Sequence, residues 1–174
     1  MIPAIWDVTG GFTLVRSYDP LDVISIHTPN ELYATIIHPQ IEVKTADSRR
    51  ILKTKISLGD GVKQWGNVGG LIAGLYTEDY GLIGRSLVDH IVEPIRSMLI
   101  PGFESIKKAT TEVGALGCGI SGSGPSVFAF SKGLETAKAV KNAMEAVYDP
   151  LGLPYETHVS GVSLDGVRRV LSNR

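Results

Sequence analysis

The chain has 174 residues, of which 43% are hydrophobic and 20% are charged, so it is long enough to bury the core of one globular domain. A formal net charge of −1 provides no basic surface for nucleic acid, and no apolar run reaches the roughly 18 residues of a membrane span. Cys118 is the only cysteine and the four histidines lack metal-ligand spacing, which excludes an internal disulfide and argues against a bound metal. Without a signal peptide, the sequence predicts a cytoplasmic protein with neither a nucleic-acid nor a membrane partner.

The chain begins with β-structure. Residues 11–18 and 23–28 alternate between apolar and polar side chains on either side of a turn at residues 19–22, a pattern that predicts a hairpin. We assign this hairpin to a leading segment, residues 1–30, and the remainder, residues 31–174, to one core domain.

A helical region follows a third strand, which is predicted at residues 32–38. Apolar residues recur there at spacings of three and four, and Thr45 is a good N-cap for the first helix. The predicted helices span residues 45–53, 57–76, 79–91, 93–98 and 103–113. The stripe of the longest one is formed by Leu58, Val62, Trp65, Val68, Ile72 and Leu75. Its five glycines weaken a helix, and we expect close helix packing to compensate.

The last part of the chain predicts a β-hairpin, a helix and closing strands. The hairpin strands are residues 115–120 and 127–130, the helix is Leu134–Tyr148, and the closing strands are residues 157–163 and 167–171. The order of elements is that of an α+β fold, a ferredoxin-like split βαβ antiparallel sheet with extra inserted helices and an N-terminal β-hairpin. We expect the helices to pack on one face of that sheet.

The most distinctive stretch is GALGCGISGSGPSVFAF at residues 114–130. Glycines allow backbone N–H groups to converge on one point, and Ser121 and Ser123 add hydroxyl groups, so the loop suits an anion or a small polar ligand. The alternative is a tight hairpin turn whose glycines serve only backbone geometry. No Lys-Ser/Thr follows Gly124, so this is not a Walker A loop.

Three further features have both a functional and an ordinary interpretation. Thr45 and Arg49 share one helix face, where a guanidinium could bind a carboxylate or phosphate, or lie in solvent. Glu93 and Arg96 place charge at a helix start, which is also typical of a surface ion pair. Cys118 is interpreted as a small buried apolar residue, since no histidine stands near it in the sequence.

Residues 114–130 closely resemble the third, C-terminal motif of the small-molecule kinase family that includes galactokinase, homoserine kinase and mevalonate kinase. Three further runs are most similar to homoserine kinases: GGFTLV at residues 10–15, KTADSR at 44–49 and EPIRSMLIPGF at 93–103. The last two are more diagnostic, because the whole family shares the third motif. The resemblance covers nearly all of the chain but only the second half of the family's usual length.

The resemblance implies an ATP-dependent phosphotransferase that acts on the side-chain hydroxyl of homoserine in threonine biosynthesis. It implies that Thr45, Arg49 and Arg96 surround this substrate. It also implies that the glycine-rich loop supports the phosphate site, and the loop residues in that role are Gly119, Ser121, Gly122, Ser123 and Gly124.

The family's second motif, Pro-x-x-x-Gly-Leu-Gly-Ser-Ser, wraps the nucleotide phosphates, and these 174 residues do not contain it. The family's acidic magnesium ligand is missing as well. The resemblance therefore implies that ATP and Mg²⁺ are bound mainly by an N-terminal ATP-binding domain that this chain lacks, and that the chain alone is inactive. No residue here is assigned as a catalytic group or a metal ligand.

Two alternatives stay open. One is another kinase of the same family, such as a mevalonate or sugar kinase, which would be favoured by an apolar acceptor pocket without the paired Arg49 and Arg96. The other is a stand-alone ferredoxin-like domain that binds a ligand or regulates a partner and needs no ATP. The sequence also leaves open whether the protein forms a homodimer.

Overall fold

Two antiparallel sheets organise residues 10–166, which a computed structural model describes apart from the side chain of Asp47. The strands are β1 (Phe12–Tyr18), β2 (Leu21–Ile26), β3 (Leu32–Pro39), β4 (Gly117–Ile120), β5 (Val127–Lys132) and β6 (Tyr155–Gly161). β1 and β2 form the predicted hairpin, and the other four strands form one sheet in the order β4-β5-β3-β6. Every neighbouring pair in that sheet is antiparallel. This order is that of the ferredoxin-like split βαβ arrangement and confirms the predicted fold class.

Within residues 10–166, six helices connect the strands. They are α1 (Thr45–Arg50), α2 (Leu58–Thr77), α3 (Tyr80–Ser86), α4 (Glu93–Arg96), α5 (Phe103–Glu112) and α6 (Leu134–Tyr148), with short 3-10 turns at Ser97–Leu99 and Asp149–Leu151. Helices α1 to α5 lie in the first crossover, between β3 and β4, where the extra helices were predicted.

One face of the four-stranded sheet packs on α5 and α6. Side chains alternate along a strand, so Thr35 and Ile37 of β3 point to the same face. Thr35 donates its hydroxyl to the carbonyl of Ala137 in α6, at 3.1 Å. The buried core of this face is formed by Ile37, Ile100, Phe103, Ile106, Cys118, Val127, Ala129, Val140, Met144 and Tyr148.

The opposite face of the sheet also receives helices, which corrects the expectation of helices on one face only. Leu32 of β3 belongs to a second buried cluster with Leu75 of α2 and Ile83 of α3. Phe130 of β5 packs against that cluster. The reason is that β3 and β5 carry apolar residues on both faces, so the sheet is a central layer.

The apolar stripe of α2 is buried only at its C-terminal end. Leu75 is 1% exposed, whereas Leu58, Val62 and Trp65 are 74%, 56% and 64% exposed. Close helix packing is confirmed at Gly74, where an added Cβ would lie 3.0 Å from Ile83 of α3. The expectation of close packing is wrong for the glycines of α2 that face outward. An added Cβ would have no described atom within 4 Å at Gly66 or Gly69.

Several predicted boundaries differ from the structure, among them the end of the helix predicted at residues 45–53, which stops at Arg50. The helix expected at residues 79–91 ends at Ser86, because Asp89 accepts hydrogen bonds from the N–H groups of Ile91 and Val92 and starts a new turn. The helix at residues 93–98 is α4 followed by a 3-10 turn. The strand expected at residues 157–163 is β6, which starts two residues earlier, at Tyr155.

The strand predicted at residues 167–171 and the whole segment before Gly10 lie outside the described residues. Among residues 10–166, no helix is both long enough and apolar enough to span a membrane.

Candidate functional site

The glycine-rich loop connects β4 to β5 at one edge of the sheet, as predicted. Inside the loop, the N–H of Ser121 donates to the carbonyl of Ser126 at 2.8 Å, and the N–H of Gly124 donates to the carbonyl of Ser121 at 3.0 Å. Gly122 and Gly124 have φ values of 61° and 81°, which a side chain would strain. The loop leads into a strand rather than a helix, so it lacks the helix N-terminus that usually holds a polyphosphate.

A side-chain contact holds one end of this loop, and two side chains lie near the other end. At its exit, Nδ1 of His38 lies 2.8 Å from the hydroxyl oxygen of Ser126. At its entry, a Cβ on Gly119 would lie 3.1 Å from the ring of Phe128 and 3.5 Å from Oε2 of Glu93. The carboxylate of Glu93 therefore lies near β4 immediately before the loop, and the tighter neighbour of Gly119 is the Phe128 ring.

Arg96 is buried and contacts the loop directly. Its side chain comes from α4, and the residue is 2% exposed. Nη1 donates to the carbonyl of Gly122 at 2.8 Å, and Nε donates to the carbonyl of Ser48 in α1 at 3.2 Å. Arg96 therefore joins α1 to the loop. Nη2 of Arg96 and the hydroxyl of Ser48 are buried without a hydrogen-bond partner among the described residues.

Glu93 lies one turn before Arg96 and is also buried, at 8% exposure. It forms an ion pair and hydrogen bond with Lys107 of α5 rather than with Arg96. Burial raises the pKa of the Glu93 carboxyl, and Lys107 opposes the shift. The interpretation of Glu93 and Arg96 as a surface ion pair is therefore wrong for both residues.

Thr45 and Arg49 occupy exposed positions on α1. Arg49 is next to Ser48 in α1, and the carbonyl of Ser48 accepts a hydrogen bond from Arg96. Because Arg96 also donates to Gly122, it links α1 to the loop. Neither exposed side chain makes a hydrogen bond to the loop within the described part of the chain. The structure thus brings together Arg96, α1 and Gly122, while the direction of Arg49 toward the loop stays a prediction.

The chemistry available here is binding and orientation. An exposed guanidinium on α1 and a glycine-serine loop suit a small anionic or zwitterionic molecule. Within residues 10–166, no group of three His, Cys, Asp or Glu side chains could hold a metal ion. Cys118 is 2% exposed, and burial raises its thiol pKa to about 12, so its interpretation as a buried apolar residue is confirmed.

Four residues at this site were not predicted as site residues: Lys107, Ser48, His38 and Ser126. Ser48 carried a signal, because it lies within the KTADSR run and next to Arg49. Lys107 and His38 had no such signal in the sequence, because their partners, Glu93 and Ser126, lie 14 and 88 residues away in the chain.

Comparison with known proteins identifies relatives of this domain. Residues 71–150 match the family model described as GHMP kinases C terminal. The chain is 56% identical over 142 residues to homoserine kinase of Chlorobium phaeobacteroides strain BS1, covering 82% of this chain and 44% of that protein. It is 50% identical over 161 residues to homoserine kinase of Chlorobaculum tepidum, covering 91% and 50%. The chain therefore spans about half the length of the curated relatives it matches.

Solved structures give the same picture. The crystal structure of homoserine kinase from Cytophaga hutchinsonii superimposes with a TM-score of 0.89 at 56% identity, over 91% of this chain and 50% of that one. The structure of L. major mevalonate kinase in complex with R-mevalonate superimposes with a TM-score of 0.62 at 18% identity, over 85% and 49%. The second likeness shows a common fold only.

Proposed function

Because the chain carries the C-terminal domain of a GHMP kinase and is homologous to homoserine kinases, we propose that it forms the acceptor-binding half of a homoserine kinase. The complete enzyme transfers the γ-phosphate of ATP to the side-chain hydroxyl of homoserine, a step of threonine biosynthesis in the cytoplasm. The observation that carries the proposal is the 56% identity to a solved homoserine kinase over 91% of this chain.

The proposed substrate contacts lie on α1 and α4. Homoserine is a zwitterion whose carboxylate is its strongest hydrogen-bond acceptor. A guanidinium binds a carboxylate through two parallel hydrogen bonds. Arg49 is exposed on α1, so we assign its guanidinium to that carboxylate, with Thr45 one turn before it on the same face. Arg96 keeps α1 against the loop through Ser48 and Gly122, and its unpaired Nη2 is the donor left for the substrate side.

The loop residues Gly119, Ser121, Gly122, Ser123 and Gly124 support the phosphate side of the reaction. Phosphoryl transfer depends chiefly on positioning and on neutralising charge. In this proposal, ATP and Mg²⁺ are held mainly by an N-terminal half outside these 174 residues. One feature of the sequence supports this division, which is that it lacks the phosphate-wrapping motif of the family.

The test is an acceptor comparison with the complete enzyme that contains this chain. ATP consumption is measured in a coupled assay with Mg²⁺ and one acceptor at a time, using homoserine, mevalonate and galactose. We expect a turnover of about 1–100 s⁻¹ with homoserine, typical of kinases, and background with the other two. Preferred use of mevalonate or galactose would contradict the proposal and leave only membership of the kinase family.

A further inference from the structure

Helix α4 has four residues, yet it carries two buried charged side chains that point to different parts of the site. Glu93 faces β4 and α5, where Lys107 is its partner. Arg96, three residues later, faces α1 and the loop. A helix this short cannot hold itself in place, because helix formation needs more than one turn. Its position therefore depends on the contacts that these side chains make.

The anchor on one side of α4 is the ion pair between Glu93 and Lys107. Lys107 lies on α5, which belongs to the buried core on the α6 side of the sheet. The second carboxylate oxygen of Glu93 lies near β4, 3.5 Å from the position that a Cβ on Gly119 would occupy. The pair thus connects α4 to α5 and lies beside the strand that enters the loop.

The ion pair need not add to stability. Burial is the largest influence on the pKa of the Glu93 carboxyl, and this pKa is raised although Lys107 opposes the shift, so the pair is held at a desolvation cost. An apolar pair in this position could be at least as stable. An ion pair does, however, fix a geometry, because the ammonium and carboxylate must meet at hydrogen-bond distance.

On the other side of α4, the direction of Arg96 determines two contacts. A guanidinium is a rigid plane, so its donation to the carbonyls of Ser48 and Gly122 requires α4 at one position. A shift of α4 would release both α1 and the loop. The described hydrogen bond and ion pair of the Glu93 side chain go to Lys107 rather than to α1 or the loop, so its effect passes through Arg96.

We propose that Glu93, held by Lys107, is a positioning residue that sets α4 and thereby keeps Arg96 between α1 and the glycine-rich loop. The kinetic consequence rests on the proposed function, because it assumes that α1 and the loop bind homoserine. The structural consequence does not rest on the proposed function. Weakening the ion pair between Glu93 and Lys107 should increase the mobility of α1 and the loop whether or not they bind homoserine.

The test compares Lys107→Met and Glu93→Leu with the unchanged complete enzyme. Hydrogen–deuterium exchange is measured for peptides that cover residues 117–126 and 45–50. We expect exchange in both peptides to become about tenfold faster, as for the loss of a charge-assisted hydrogen bond, while α6 stays within about twofold. KM for homoserine should rise about tenfold and KM for ATP should change by less than about twofold.

Two controls keep the result specific. Lys138→Met breaks an exposed ion pair with Glu135 on α6 and should leave both peptides and both KM values unchanged. Glu93→Gln keeps an oxygen that can accept from Lys107, so it should restore the exchange of both peptides to within about threefold. If Glu93→Leu fails to fold, Lys107→Met still decides the question, because its side chain is 30% exposed.

The outcomes separate this inference from the proposed function. Unchanged exchange in residues 45–50 and 117–126, or an increase spread evenly over the whole protein, overturns the positioning role. Faster exchange confined to those two peptides with an unchanged KM for homoserine supports the positioning role and contradicts the homoserine site instead. Faster local exchange together with a raised KM for homoserine supports both.

Discussion

Arg96 donates through Nη1 to the main-chain carbonyl of Gly122 at 2.8 Å, so a residue of the inserted helices directly holds the glycine-rich loop. Its Nε donates in the same way to Ser48 of α1. Arg49 and Arg96, the two arginines at positions that match substrate-binding residues of homoserine kinases, are therefore not equivalent. Arg96 is part of the interior, whereas Arg49 is available at the surface. The two positions consequently predict different results on substitution.

Arg49→Leu should impair homoserine use without impairing the fold. Loss of a charge-assisted contact of roughly 1.5–3 kcal/mol lowers kcat/KM for homoserine by about one to two decades. KM for ATP should stay within about twofold, because the nucleotide site is assigned elsewhere. Steady-state kinetics of the complete enzyme with each substrate varied in turn measures both values. Arg85→Leu, on the exposed side of α3, is the matched control. An equal loss for both substrates, or no loss, would sink the assignment of Arg49.

Arg96→Leu should reduce both activity and stability. The substitution removes two charge-assisted hydrogen bonds to main-chain carbonyls, each contributing roughly 1.5–3 kcal/mol. We expect the free energy of unfolding of the chain to fall by about 3 kcal/mol in urea denaturation. For the exposed Arg49→Leu it should change by less than about 0.5 kcal/mol. Similar unfolding curves for the two variants would show that the contacts of Arg96 contribute little.

The 174-residue chain alone should not transfer phosphate from ATP. Its glycine-rich loop runs into a strand and offers no helix N-terminus for a polyphosphate. A coupled assay with homoserine and Mg-ATP should therefore show background rate only. Turnover near the roughly 1–100 s⁻¹ of typical kinases would refute the division of roles between the two halves. The complete enzyme in the same assay is the positive control.

The elements that could be predicted are those that local sequence specifies. The alternation of apolar and polar residues predicted the β1–β2 hairpin, and apolar residues at spacings of three and four predicted α5 and α6. The resemblance of residues 114–130 to a kinase motif, together with the strands on either side, located the loop. These signals lie within one element or between neighbours in the chain, so no tertiary information was needed.

The parts that could not be predicted depend on distant partners. Periodicity showed that α2 has an apolar stripe, but it could not show that Trp65 is exposed while Leu75 is buried. Glu93 and Arg96 looked like a surface pair because their partners, Lys107 and Gly122, are 14 and 26 residues away. Burial of a charge is a property of the tertiary structure, and a short charged run does not reveal it.

Two glycine-to-alanine substitutions should change stability in opposite directions. Gly66 lies in the middle of α2 on its exposed side, and an added Cβ would have no described atom within 4 Å. Gly66→Ala should therefore stabilise the chain by up to about 1 kcal/mol. At Gly84 in α3 the Cβ would lie 2.7 Å from the main-chain carbonyl oxygen of Leu116. Gly84→Ala should therefore cost about 1–3 kcal/mol. Urea denaturation of both variants measures the difference, and a stabilising Gly84→Ala would contradict the packing of α3 against Leu116.

The buried carboxyl of Glu93 predicts a pH dependence with a definite sign. Burial raises its pKa above the ordinary value of 4.5, and the negative charges of Asp89 and Glu104 add to the shift while Lys107 opposes it. In the window between 4.5 and the raised pKa, the folded chain binds this proton more tightly than the unfolded chain does. The contribution of Glu93 to stability is therefore lost as pH rises through that window and regained as pH falls.

Glu93→Gln isolates this contribution, because the amide does not titrate. The quantity to measure is the free energy of unfolding of the unchanged chain minus that of Glu93→Gln, by urea denaturation at neutral pH and at several values down to about pH 4.5. This difference should move in favour of the unchanged chain as pH falls, since protonation removes the cost of burying the carboxylate. Glu135→Gln, whose side chain is 85% exposed on α6, should show a smaller change over the same range. A difference that moves the other way would mean that attraction to Lys107 outweighs burial and that the pKa of Glu93 is lowered instead.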